Sequence, residues 1–234
     1  MLRLFSIEFQ KMKASRIFKG FIIAYFAILS CIALFSLIKL DLGFVQIDFA
    51  EQGLFDTPLL WHMNTYISSM IKWFLAIIIV TSVVSEFEYG TLKQNLIDGL
   101  SKKEFVLSKL TSILLFALTS VLFVFIVSVI MHFINDSETG MFLGIEYLGA
   151  YFLRLMIFLS FSFFVAILIK RSAFAFFLIF VWWIIEKLTM IESFGLSLIS
   201  DYLPLTASSN LISLPFSRMT SVKQVTNLAT MGEG

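Results

Sequence analysis

Residues 86–109, EFEYGTLKQNLIDGLSKKEFVLSK, are the longest polar interruption between hydrophobic blocks in the first two-thirds of the chain, and their reading decides the fold. Two helix starts are written into them. Thr91 followed by Gln94 fits a capping box, in which a hydroxyl takes the backbone N–H three residues on and the later side chain reaches back. Ser101 followed by Glu104 repeats the arrangement. Gly99 lies between them, where a short helix ends naturally in a left-handed residue. The stretch predicts a short helix from Leu92 to Asp98, a tight turn, and the start of a longer helix. Leu92, Leu96 and Leu100 recur every four residues and line one side of it, whereas Lys93, Gln94 and Asn95 turn elsewhere.

On either side the chain is apolar. Hydrophobic residues make up 59% and charged ones 14% of the 234 residues, with 28 Phe and only 3 Pro. A soluble domain carries about 25% charged residues, so the bilayer is the expected solvent. The reading is all-α: a polytopic membrane helix bundle with five spans, at about 20–38, 66–84, 106–133, 147–169 and 173–190. A helix of roughly 20 residues covers the hydrocarbon thickness. Counted from the Ser101 cap, the third helix runs about 48 Å against roughly 30 Å of hydrocarbon, so its excess projects into water.

Residues 1–19 form a basic leader with Arg3, Lys11, Lys13, Arg16 and Lys19 against Glu8. Leu2, Phe5, Phe9 and Met12 share one helical face, the pattern of an interfacial amphipathic helix. No cleavable signal peptide is evident. Basic residues set orientation: with the N-terminus inside, the inner segments hold eleven Lys and Arg and the outer segments four. The leader, the 86–109 stretch and Lys170-Arg171 are therefore expected in the cytosol, and the whole in the cytoplasmic membrane. Residues 191–234 are then an extracytoplasmic segment.

Glu86 at the cytosolic end of the second span, then Glu88, Gly90, Thr91 and Leu92, a short helix with Leu96, the Ser101-Lys102 pair and Lys109 entering the third span form a pattern that resembles ABC-2-type transporter permeases. The chain departs from it at Leu100, where many members carry Pro. The resemblance implies that the segment 86–105 is a coupling helix docked on a separate ABC ATPase subunit. That subunit would hold ATP and Mg, with no cofactor bound by this chain. It also implies a second permease protomer, in a homodimer or heterodimer, and an exporter function. Family members have six spans, so the chain is expected to be truncated before a sixth.

Lys72, Arg154 and Glu186 fall within spans, where a charge costs at least about 2.5–3.5 kcal/mol at mid-bilayer. Lys72 and Glu186 lie near the outer ends and are expected to snorkel to the headgroups. Arg154 is about 12 Å deep, and Glu186 on the next span stands at a similar height. An Arg154–Glu186 ion pair is therefore expected, with exposure of Arg154 to an outward-facing cavity as the alternative.

No catalytic, metal or cofactor site is read in the chain. There is no GxxxxGK[ST] phosphate loop. His62 and His132 lack metal-ligand spacing and read as interfacial residues. Serines within spans, such as Ser30, Ser120, Ser128 and Ser162, read as bonding to backbone carbonyls one turn back. The lone Cys31 excludes an intrachain disulfide. Nucleic-acid binding has no support, because orientation accounts for the basic residues. The competing readings are an intramembrane enzyme, such as a membrane protease, and a non-transporting membrane anchor. No residue chooses a substrate.

Overall fold

The computed structural model describes residues 16–35, 40–41, 46–47, 57–134, 140–189 and 202–212. In chain order these form α1 (Arg16–Phe35), β1 (Leu40–Asp41), β2 (Gln46–Ile47), α2 (Leu59–Met70), α3 (Lys72–Glu88), α4 (Thr91–Ile97), α5 (Lys102–Ile134), α6 (Glu146–Ile169), α7 (Ser172–Thr189) and α8 (Pro204–Asn210). The strands make one small antiparallel pair, with Leu40 opposite Ile47. The amphipathic leader expected before Arg16 lies outside the described residues, as does most of the segment after Met190.

Among the described residues four helices are long and apolar enough to cross a membrane, not the expected five: Leu59–Glu88, Lys102–Ile134, Glu146–Ile169 and Ser172–Thr189. The correction falls on the block 20–38. Among the described residues the apolar stretch of α1 is Phe18–Cys31, about 21 Å at 1.5 Å per residue. Helix α1 packs on the other helices: the Tyr25 and Tyr151 hydroxyls lie 3.0 Å apart, and Phe26 meets Phe123 edge-on.

The expected span 66–84 grows to Leu59–Glu88. The polar residues of its first turns, His62, Thr65, Ser68 and Ser69, are all buried against neighbours. The helix is interrupted at Ile71, where the N–H of Ile71 bonds to the Ser68 carbonyl and that of Phe74 to the Ile71 carbonyl. These are the tighter bonds of a 3₁₀ turn.

Helix α6 is the hub, packed against α2, α3, α5, α7 and α8. It is hydrophobic all round, so burial rather than polarity distinguishes its faces. Leu148, Tyr151, Leu155, Phe158, Leu159, Ser162 and Ala166 are buried, while Leu153, Phe164 and Leu168 are exposed. On α5 the buried face mixes serines with Phe105, Ile113, Phe116 and Met131. Ser108, Ser112, Ser120 and Ser128 lie on the buried face, and Leu114, Leu118, Leu122, Ile126 and Ile130 recur every four residues on the exposed one. In lipid, helices associate through close packing of small residues, because the tails are as apolar as leucine. The serines bond as expected: Ser120 Oγ donates to the Phe116 carbonyl at 2.7 Å, and Ser162 Oγ to that of Phe158 at 2.8 Å.

At one end α2 is tied to the turn before α6. Thr57 Oγ1 donates to the Gly140 carbonyl at 2.8 Å and Trp61 Nε1 to the Met141 carbonyl at 2.9 Å. Gly144, at φ +93°, lies so close to Pro58 that a Cβ on it would come within 2.6 Å of the proline ring. His62 stacks on Tyr147 with ring centroids 4.4 Å apart. Both histidines are buried in the bundle.

Candidate functional site

The first site is at the basic end of the bundle. Helix α3 stops at Glu88, and Gly90 turns the chain in the left-handed region at φ +68° before α4 begins at Thr91. A residue without Cβ adopts that conformation at no steric cost. The Thr91–Gln94 capping box does not form. Gly90 is the N-cap, with no side-chain cap bond, and its carbonyl accepts the N–H groups of Lys93 and Gln94. Thr91 is already inside the helix. The second capping box does form: Glu104 Oε2 accepts the Ser101 N–H at 2.8 Å, and Ser101 Oγ accepts the Glu104 N–H at 3.2 Å. Gly99 takes the left-handed turn between the helices at φ +97°.

Helix α4 packs on α3. Leu92, Leu96 and Leu100 are half-buried while Lys93 and Gln94 are exposed, as their spacing predicts, but Asn95, expected to turn away with them, is half-buried too. Glu88, Ser101 and Lys102 also face solvent. Tyr89 and Ile97 are the surprise, 81% and 85% exposed at the two ends of α4. The four-residue leucine repeat gave no sign of this second apolar surface; the aromatic before the glycine and the Ile off the stripe were the available signals.

Beneath α4 the structure joins two residues that the sequence placed separately. Glu86 on α3 and Lys109 on α5 are both buried and form an ion pair, with Lys109 Nζ 2.5 Å from Glu86 Oε1. Lys109 Nζ also donates to Ser82 Oγ at 3.1 Å and lies 5.8 Å from the Phe105 ring centroid. The pair fastens the two helices that carry the α4 turn. The Lys170–Arg171 connection belongs to the same end, since Lys170 Nζ stands 5.6 Å over the Phe87 ring. Lys170 itself caps α6 in the left-handed region at φ 55°.

The second site is toward the opposite end. Lys72 and Glu186 do not snorkel; they are 6% and 1% exposed. Lys72 Nζ lies 4.4 Å from the centroid of the Phe158 ring. The expected Arg154–Glu186 ion pair is absent. Glu186 Oε1 accepts Trp182 Nε1 at 2.5 Å and the Leu205 N–H at 3.3 Å. Its Oε2 accepts the Thr206 N–H at 2.5 Å and Thr206 Oγ1 at 3.0 Å. The carboxylate thus holds the first turn of α8, a helix the sequence reading did not place. Similar heights on adjacent helices brought Arg154 near, but backbone donors arriving from 20 residues downstream took the carboxylate. Arg154 Nε and Nη1 are buried with no hydrogen-bond partner among the described residues. No group of His, Cys, Asp or Glu arranged to hold a metal occurs among the described residues.

These features define a multi-pass α-helical membrane protein with several apolar spans. The chain belongs to the family described as Protein of unknown function (DUF2705), which matches residues 22–207. Neither a curated protein nor a solved structure matches it.

Proposed function

We propose that the chain is the membrane-spanning permease subunit of an ABC-2-type exporter, working beside a second permease protomer. ATP and Mg are assigned to a separate ABC ATPase subunit, and the chain itself carries no catalysis. The observation that carries the reading is the buried Glu86–Lys109 pair under the exposed α4 turn. Both residues belong to the pattern that resembles the coupling segment of those permeases, and together they make the base of α4 rigid. Tyr89, Lys93 and Ile97 then offer an apolar and basic surface to a partner. The same end carries Lys102, Lys103, Lys170 and Arg171, and the positive-inside rule supports a cytosolic side for it, in keeping with a place in the cytoplasmic membrane. In this mechanism, closure of the ATPase subunits pushes α4, and the buried pair passes the displacement into α3 and the long α5.

A photo-cross-linking amino acid at position 97 of the full chain, expressed in its native host, tests the reading. The expected product is a covalent adduct with a Walker-motif ATPase, identified by mass spectrometry. Tyr89→Ala should lower its yield at equal membrane expression. Gly90→Val should leave the adduct but uncouple ATP hydrolysis from the permease, an effect a passive anchor would not show. An adduct yield from position 97 no higher than from lipid-facing position 122 would sink the proposal.

A further inference from the structure

Lys72, Arg154, Glu186 and Lys187 line one partly open pocket, together with Trp183 and with Thr206 of α8. Three cations therefore face a single carboxylate. An ionised carboxylate offers about four acceptor positions, and Glu186 uses four, on Trp182, Leu205 and Thr206. Neither Lys72 nor Arg154 makes an ion pair among the described residues, and two guanidinium nitrogens of Arg154 remain buried without an acceptor. A desolvated guanidinium lacking both counter-charge and acceptors is costly, and an oxyanion supplies both.

From this geometry we infer an anion-binding site for a phosphate-type oxyanion, with Arg154 as its principal donor and Lys72 and Lys187 supplying charge. Its source is either a phospholipid headgroup reaching in from the bilayer or a free phosphate-bearing solute. Arginine suits such a ligand because its donors are rigid and its charge is permanent. Glu186 is a positioning residue here: by clamping α8 it fixes the pocket wall and leaves Arg154 open. The inference is independent of the exporter reading, since it concerns the opposite end of the bundle.

Full-length protein in neutral detergent separates the two sources. In the first arm, the unfolding midpoint is followed against inorganic phosphate at constant ionic strength, with gluconate as control. In the second, native mass spectrometry counts lipids retained after reconstitution in phosphatidylglycerol or phosphatidylcholine. A saturable rise with phosphate, weakened about tenfold or more in Arg154→Gln as befits a charge-assisted bond, supports a free oxyanion. Selective retention of phosphatidylglycerol, lost in Arg154→Gln, supports the headgroup. Lys187→Gln, a change at an exposed side chain, should weaken the same signal two- to fivefold and keeps the test open if Arg154→Gln fails to fold. No preference for phosphate over gluconate or for the anionic lipid over the neutral one, or a preference unchanged in the variants, overturns the inference.

Discussion

The two ends of the bundle handle buried charge in opposite ways. At the basic end Lys109 is enclosed with its counter-ion, and Glu86, Ser82 and the Phe105 ring all approach the ammonium. At the other end Lys72 and Arg154 are enclosed without a carboxylate of their own, because Glu186 is committed to α8. An internally matched pair can act as a structural fastener. Unmatched cations weaken the isolated chain and have value only if something else supplies the negative charge. The comparison thus separates a joint from a receptor.

Breaking the joint should have the largest effect. Lys109→Met leaves Glu86 buried and unpaired, and removing one partner of a buried pair typically costs about 3–5 kcal/mol. Thermal unfolding of the purified full chain should show a drop well beyond that of any other substitution considered. The double variant Glu86→Gln/Lys109→Met should regain much of the loss, since two neutral side chains of similar size leave no orphaned charge. Equal losses in single and double variants would mean that the pair is incidental to stability.

A smaller effect is expected at the tie between α2 and the turn before α6. Gly144→Ala meets Pro58 at 2.6 Å and places a side chain at φ +93°. Left-handed backbone costs roughly 1–2 kcal/mol, and the contact adds to it. Gly90→Ala, with open space around it, should cost only the backbone part. A midpoint lower for Gly144→Ala than for Gly90→Ala checks the ordering; the reverse would place the strain in the α4 turn.

How much of this was legible in the sequence depended on how local the physics is. The second capping box, the Gly99 turn and the leucine stripe of α4 are settled within four residues, and they read correctly. The bounds of α5, α6 and α7 followed from long apolar runs flanked by charge. The count of spans differed at α1, whose described apolar stretch, Phe18–Cys31, is shorter than the block 20–38 read from the sequence. The start at Leu59 was hidden because His62 and Thr65 look solvent-facing until Tyr147 and a backbone carbonyl cover them. Glu86 and Lys109 were each singled out, but their meeting needs the α3–α5 packing. Glu186 was judged by its height on a helix, and the chain segment that captures it arrives from outside the run being read.

The last prediction concerns Arg154, where the two ends should differ in sign. Had Arg154 paired with Glu186, Arg154→Met would cost as much as Lys109→Met. With no partner, the substitution removes a poorly solvated cation and replaces it by an apolar chain of similar length. Stability in phosphate-free neutral detergent should then stay within about 0.5 kcal/mol of the native chain or rise, because replacing buried charge by well-packed apolar residues is often neutral or stabilising. Glu186→Gln should still lower it by about 1.5–3 kcal/mol, the worth of hydrogen bonds to a charged group, since Trp182 and α8 lose their acceptor. Because the two line one pocket they should couple in the double variant, but by less than about 1 kcal/mol, since no bond joins them. A coupling energy above about 1 kcal/mol, or a loss for Arg154→Met comparable to that for Lys109→Met, would show that the far end is a second joint and that its cations need no outside anion.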